Sequence, residues 1–403
     1  MTLPRSGFLL SLSAFSLILC VSVVQSPLAL AADTPATTDR QPISREQLRQ
    51  KVGPMIDKAL RFQAAAQRED GGWVGFKPDQ SDPAITALVA QTFIQHPDYG
   101  PEHPISKRAI EYMLRFQQPD GGIYDPKLPY LNYSTSVALM ALAATKSPAL
   151  QPKIAAAQKC LKDNQWADPK CDNDGKLITP AHPWYGGAGY GNHKRPDLSN
   201  TQMMLEALHQ SGLPADDPVY QKALQFVQRC QMLAITNDQP FAQGATDGGF
   251  VYTAAQGGHS MAGSTTQPEG NQMLRSYGSM TYAGFKSMLY ANVDRDDPRV
   301  KAAFDWIRRH YTLDSNPNMP GRQSKEGLYY FYHVFAKALE AWGEPFIVDH
   351  KAVVHDWRAD LADKLAREQR EDGSWVNEAD RWMEGNPHLV TAYAVLALQT
   401  ALR

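Results

Sequence analysis

Gln67-Arg68-Glu69-Asp70-Gly71-Gly72-Trp73 and Gln369-Arg370-Glu371-Asp372-Gly373-Ser374-Trp375 are two copies of one turn, placed near opposite ends of the chain. Asp120-Gly121-Gly122-Ile123 and Asp247-Gly248-Gly249-Phe250 repeat its core. The glycines supply the positive φ that a helix exit needs, and the residue after them can pack the turn against a neighbouring repeat. Three copies follow an amphipathic run ending in Gln, at Phe62-Gln63 to Gln67, Phe116-Gln117-Gln118 and Glu368-Gln369. Each copy precedes a more apolar segment rich in Ala and Leu.

This template fills the chain. Outer helices with a charged face are expected at Ser44–Gln67, Ile105–Gln118, Ala149–Asn164, Pro218–Leu233, Pro298–His310 and Asp356–Gln369. Ser44, Asp217-Pro218 and Asp297-Pro298 carry helix-opening signals, a capping side chain with or without Pro at the first helical position. Inner helices, apolar on most sides and therefore buried, are expected at Pro83–Gln95, Tyr133–Ala144, Leu198–Ser211, Ser279–Ala291, Tyr329–Trp342 and Pro387–Ala401. The terminal repeats of an open solenoid need a polar outer face. The last inner helix is as apolar as the middle ones, so the array is expected to close. The fold class is all-α: an α/α toroid of six inner and six outer helices, forming one domain over residues 44–403.

Composition agrees with a folded chain. Of 403 residues 43% are hydrophobic, with 40 Lys+Arg against 42 Asp+Glu and a net charge of −2. That excludes a disordered protein and leaves no basic footprint for nucleic acid. Residues 1–31 read as an export signal, with Arg5, the apolar run Phe8–Val24 and the small-residue site Ala29-Leu30-Ala31. Residues 32–43 read as a flexible leader. The mature protein is expected to be periplasmic or secreted, monomeric, and without a stable membrane span. It keeps Cys160, Cys171 and Cys230. In an oxidising compartment Cys160 and Cys171 could close a short loop, and Cys230 falls in a buried helical pattern. No Cys/His spacing suggests a zinc site, and no cofactor is expected.

The Gln-x-x-Asp-Gly-Gly/Ser-Trp turns resemble the QW-type repeats of squalene and other triterpene cyclases, whose superfamily includes the protein prenyltransferase β subunits. That resemblance implies an α/α toroid with an aromatic cavity for a hydrophobic or isoprenoid ligand. Two departures separate this chain from the active members. The cyclases carry an Asp-x-Asp-Asp motif whose central acid faces the cavity, but Asp294-Arg295-Asp296-Asp297 ends at an outer-helix start, where Asp297 reads as a cap. The triterpene cyclases also use two toroids, and this chain has length for one. Gly327-Leu328-Tyr329-Tyr330-Phe331-Tyr332-His333 is similar to the stretch carrying the prenyltransferase zinc histidine. Ser276-Tyr277-Gly278-Ser279, however, has no Asp or Cys to complete the ligand set.

In a closed ring, polar groups converge where the inner helices start. Tyr329 and Tyr330 stand four and three residues before His333, spacings that can share a helix face. A phenol beside an imidazole can serve as acid and base. His333, Tyr330 and Tyr282 are therefore the catalytic candidates. The loop Trp184 to Asp197 is either a lid or a repeat connection, and it supplies Trp184, Tyr190, Arg195 and Asp197. Asn200, Arg275, Tyr277, Tyr329, Trp382 and His388 complete the binding candidates, with Arg275 suited to an anionic group. Asp197 with Asn200, like Asn132 with Tyr133, reads first as a helix cap. Asp172-Asn173-Asp174-Gly175 has a calcium-loop flavour without the distal Glu.

Three functions stay open. One is an exported protein that binds or transforms a hydrophobic or isoprenoid ligand without Asp-x-Asp-Asp chemistry. Another is a carbohydrate-active toroid, a polysaccharide lyase or hydrolase using Tyr and His, with Trp184 and Trp382 stacking on sugar rings. The third is a non-catalytic scaffold. Cavity polarity separates the first two, because an oligosaccharide needs converging Arg, Asn and His.

Overall fold

The computed structural model describes residues 41–75, 77, 79–191, 195–267, 270 and 272–403. The expected export segment and all but the last three residues of the leader lie outside them. Within the unit Pro42–Arg403 the outer helices are α1 (Arg45–Ala65), α3 (Pro104–Leu114), α5 (Gln151–Asn164), α7 (Pro218–Arg229), α9 (Pro298–Arg309) and α11 (Trp357–Glu368). The inner helices are α2 (Pro83–Ile94), α4 (Leu131–Ala144), α6 (Leu198–Gln210), α8 (Gly278–Tyr290), α10 (Leu328–Trp342) and α12 (Pro387–Ala401). Each inner helix packs on the next, and α12 packs back on α2 while α1 meets α11. The ring is closed. Two short antiparallel hairpins decorate it: β1 (Ser264–Thr266) with β2 (Gln272–Leu274), and β3 (Phe346–Val348) with β4 (Val354–Asp356).

The repeated turn has a specific mechanical role. Gly71 sits at φ +92°, and a Cβ there would lie 2.5 Å from the Arg108 carbonyl oxygen of the next outer helix. Gly121 meets Ala156, Gly248 meets Ala302, and Gly373 meets Lys58 of α1 in the same way. The turn glutamine completes the joint, because Gln67 Nε2 donates to Ile105 O at 3.0 Å and Gln369 Nε2 to Met55 O at 2.9 Å. The residue after the glycines donates its N–H inward to an inner-helix threonine: Trp73 to Thr86, Ile123 to Thr135, Phe250 to Thr281 and Trp375 to Thr391. One motif thus fastens its own repeat's inner helix to the following outer helix. The last copy fastens the ring shut.

A fifth copy hides in the loop read above as a lid or connection. Gly186, at φ +85°, is pressed on the Lys222 carbonyl of α7, and Ala188 N donates to Thr201 Oγ1 at 2.9 Å. The first half of that loop is therefore a repeat joint. Its aspartate and aromatic positions have drifted, so only the glycines remain visible.

Helix starts follow their caps. Ser44 and Gln47 form a capping box, and Asp217 and Asp297 cap the Pro-initiated α7 and α9. Cys160, Cys171 and Cys230 are all free, so the loop expected from Cys160 and Cys171 is not cross-linked. Cys160 is buried beneath Gly122, where burial pushes its thiol up to about 12, whereas Cys171 is exposed on its own turn. Among the described residues no helix is long and apolar enough to cross a membrane.

Candidate functional site

All six inner helices run in one direction, so their N-terminal ends surround one mouth of the ring. Here lies a cavity of about 380 Å³ lined by seven tyrosines, four methionines and Trp382. The helix starts need caps, and several are borrowed from loops. Asn316 Oδ1 accepts from Ser279 N of α8 at 2.9 Å, and Glu384 Oε1 accepts from Tyr330 N of α10 at 2.8 Å. The Tyr190 carbonyl accepts from Asn132 N of α4 at 3.0 Å. Satisfying orphan N–H groups draws these loops across the mouth.

The wall is a network of phenols. Tyr133 and Tyr393 share a hydrogen bond of 2.9 Å. Tyr330 Oη meets Ser199 Oγ at 3.0 Å and accepts from Gln202 Nε2 at 2.8 Å. Tyr190, Tyr252 and the Asp197 carboxyl are linked through their side chains. Burial raises the pKa of every one of these phenols, so they stay neutral. Glu384 is the acid of interest. It is 1% exposed, and desolvation pushes its carboxyl up to about 7 against the pull of Asn377 Nδ2 at 2.6 Å and the α10 amides. Asp197, buried as the α6 cap, is pushed up to about 6 by the same cause.

Of the residues proposed from sequence, Tyr330, Tyr190, Asn200, Tyr277 and Trp382 line this cavity. The others sit elsewhere. His333 lies one turn deeper and meets the cavity only through Tyr393, on which it stacks at 5.5 Å. Burial drives its imidazole down to about 3, and neither ring nitrogen has a partner among the described residues. Tyr329 turns outward, donating to Glu368 Oε2 at 3.0 Å. Tyr282 packs between Phe331 and Phe335. Trp184 belongs to a small separate cluster with Trp166 and Ile178. His388 stacks on Phe62 and bonds Gln63, joining α12 to α1. Arg195 leans over Tyr252 at 5.7 Å from the ring centre, and Arg275 flanks the α8 start. Arg195 Nη1 and Arg275 Nε are buried atoms without partners among the described residues.

Asp297 accepts from Arg299, whose guanidinium holds its carboxyl below the usual range. It is a cap on an outer helix. Asp172 likewise serves its own turn and His182. Among the described residues no three His, Cys, Asp or Glu side chains converge as a metal site. Sequence reasoning missed Glu384, Asn316, Tyr133, Tyr252 and Tyr393 as wall residues. The one signal that could have pointed at the acid is its place two residues after Trp382, a binding candidate just ahead of the last inner helix.

No known family profile matches the chain. A 66-residue stretch, 16% of this chain, is 38% identical to drimenyl diphosphate synthase from Streptomyces showdoensis, and spans 12% of that protein's length. The type II terpene cyclase MstE from Scytonema, in a variant holding merosterolic acid A, superposes with a TM-score of 0.55 at 15% identity, covering 89% of this chain and 99% of that one. Its apo form gives 0.52 at 16%, covering 88% and 98%. A possible member of the GH105 family from Salmonella enterica serovar Paratyphi A gives 0.50 at 13%, covering 95% and 99%. These likenesses establish the fold alone: an α/α toroid of the kind seen in the MstE and GH105-type structures.

Proposed function

We propose that the aromatic cavity binds a hydrophobic, isoprenoid-type molecule and transforms it by acid chemistry that does not use an Asp-x-Asp-Asp motif. The observation that carries this reading is the wall itself, phenol rings and thioethers with one buried carboxyl, Glu384, among them. Aromatic faces stabilise a cation by roughly 0.5–2 kcal/mol each when desolvated. A carboxyl group near pKa 7 is protonated often enough at neutral pH to donate to an alkene. Tyr330, Tyr190, Tyr277 and Asn200 would shape the bound molecule, Trp382 would cover it, and Arg195 and Arg275 would receive any anionic end. We also propose that residues 1–31 direct export and are removed; N-terminal sequencing of the envelope protein tests that separately.

The test is mass spectrometry of small molecules co-purifying with protein from its native envelope, followed by turnover assays on what is found. A prenyl chain is expected. Turnover should fall as pH rises through about 7, where Glu384 loses its proton, and Glu384→Gln should lower it roughly 100-fold or more. A bound oligosaccharide, or full activity in Glu384→Gln, overturns this reading.

A second reading rests on the mouth. Trp382 is 44% exposed, and Glu326 lines the same opening as Glu384. A tryptophan platform beside two carboxyl groups is what a carbohydrate-active enzyme would use. Protection of Trp382 fluorescence by uronate oligosaccharides, but not by prenyl alcohols, would favour it.

A further inference from the structure

The inner helices end at the opposite mouth, where a separate cavity of about 1060 Å³ opens between the C-terminal turns of all six. Beneath its lining lies a buried charge cluster that reaches the cavity through Lys337. Glu206 of α6 and Lys286 of α8 are both fully buried, and Lys286 Nζ donates to Glu206 Oε2. Glu206 Oε1 accepts from Gln210 Nε2 at 2.7 Å. Lys337 of α10 is 2% exposed and lines the cavity, yet its Nζ stops 3.6 Å from Glu206 Oε1, outside hydrogen-bond reach. One carboxylate thus faces two ammonium groups. No other carboxylate among the described residues comes within 4.0 Å of Lys337 Nζ.

The neighbouring groups give Lys337 no directly bonded counter-ion. His333, one turn earlier on α10, is neutral because of burial, and His209 is lowered by burial and stacked on Tyr290. Arg403 at the rim adds a further cation, and Glu340, Asp57 and Asp98 add carboxylates to the lining; Glu340 acts on Lys337 from a distance, and none of the three comes within 4.0 Å of its Nζ. The same wall holds an orphan of opposite character. Gln399 of α12 donates through Nε2 to Thr92 O at 2.8 Å, and its buried Oε1 has no partner among the described residues. Helices α10 and α12 are neighbours, so an ammonium group beyond hydrogen-bond reach of Glu206 and a buried acceptor without a donor face one cavity. Buried polar groups left in that state are rare and costly.

We infer that this far mouth is a second ligand site, for a small hydroxylated organic anion: a carboxylate or phosphate oxygen accepts from Lys337 Nζ, and an adjacent hydroxyl donates to Gln399 Oε1. It is independent of the aromatic cavity and of the function proposed for it. The anion restores charge balance around Glu206, and the hydroxyl satisfies the glutamine.

The test is thermal unfolding of the mature protein titrated with malate or glycerol 3-phosphate, with ionic strength held constant by sodium chloride. A ligand that binds only the folded state raises the midpoint saturably. Either probe doing so supports the inference, and whichever binds tighter assigns the anion as carboxylate or phosphate. Succinate, which lacks the hydroxyl of malate, is expected to bind roughly tenfold more weakly, the worth of one hydrogen bond. Lys337→Met should abolish the response, and Gln399→Leu should bring malate down to the level of succinate. Should Lys337→Met fail to fold, Gln399→Leu decides alone. No saturable response to either probe, an undiminished response in Lys337→Met, or an unchanged preference for malate in Gln399→Leu would overturn the inference.

Discussion

The two mouths of the ring are built from the same six helices and differ in almost everything else. At the N-terminal mouth the acidic and amide side chains are consumed as caps: Asp82 on α2, Asp197 on α6, Asn386 on α12, Asn316 and Glu384 on α8 and α10. What remains to face the cavity is aromatic and apolar. At the other mouth there are no N–H groups to cap, and the helix dipoles favour cations. Lys286 and Lys337 sit in the C-terminal halves of α8 and α10, around a carboxylate that cannot serve both. Helix direction therefore sorts the chemistry of a toroid before any ligand is considered. A hydrophobic guest suits one end; at the other the dipoles draw lysines inward, and the anion proposed above would have to bind to those lysines against the dipoles.

The largest test of this contrast is at the axis. Lys286→Met leaves Glu206 buried without its hydrogen-bonded counter-ion, with only Gln210 still donating to it, and is expected to cost about 3–5 kcal/mol in urea unfolding. Replacing Glu206, Lys286 and Lys337 together by Leu, Met and Met should recover most of that loss, because a well-packed apolar core is as good as a buried ion cluster. A cost below about 1 kcal/mol for Lys286→Met would mean that the cluster is solvated, and the two mouths would no longer differ in kind.

Next in size is the pH dependence, which has opposite signs at the two ends. The Glu384 carboxyl is raised from 4.5 to about 7 by burial. Between those values the folded chain holds a proton that the unfolded chain has released, so stability falls as pH rises across that window, by roughly 3 kcal/mol. Lys337 is lowered from 10.5 to about 8, also by burial. There the unfolded chain holds the extra proton, and stability is regained as pH rises from about 8 towards 10.5. Asp197, raised by burial to about 6, adds to the first slope and His333, lowered by burial to about 3, opposes it, so the readout is the difference from the parent. Glu384→Gln should change the curve only up to about pH 7 and Lys337→Met only above about pH 8, in unfolding series taken from about pH 4 to 10.

Each end was legible in the sequence to a different degree. The turn motif gave the helix pairs and the closure because its glycine is required by contact with the next outer helix, a constraint that leaves the same letters at Gly71, Gly121, Gly248 and Gly373. At Gly186 the contact persists without the flanking Asp and Trp, so the joint looked like a free loop. Site residues were harder to place. A helix that is apolar all round has no sequence phase, so nothing distinguished Tyr330, which faces the cavity, from Tyr329, which faces α11, or from His333 below. The axial charges left the opposite signal, a lone Glu or Lys inside an Ala- and Phe-rich helix, as at Leu205-Glu206-Ala207 and Ala336-Lys337-Ala338. Such a residue is buried by its context and must find company.

A smaller effect is expected at Tyr330. Tyr330→Phe removes the hydroxyl that meets Ser199 and Gln202, and should cost about 1 kcal/mol in stability. It should also shift ligand affinity at the aromatic mouth while leaving the malate response of the far mouth untouched. Coupling between the two readouts would show that the polar groups between the cavities act as one unit.

The smallest stability change separates a mouth built for binding from one built for rigidity. Trp382 and Met383 are consecutive non-glycine residues at φ +65°. Left-handed backbone at such residues costs of order 1 kcal/mol each, and it persists where the surroundings hold it for a purpose. The Trp382 ring gains little from burial in return, being 44% exposed with Arg381 stacked on it at 4.9 Å. Trp382→Gly relieves the strain and removes the ring, so thermal stability should stay within about 0.5 kcal/mol of the parent or rise slightly. Ligand affinity at this mouth should drop about tenfold, the worth of one aromatic contact. If stability and affinity fall together instead, the ring is a structural plug, and the aromatic cavity beneath it is sealed and not entered from this side.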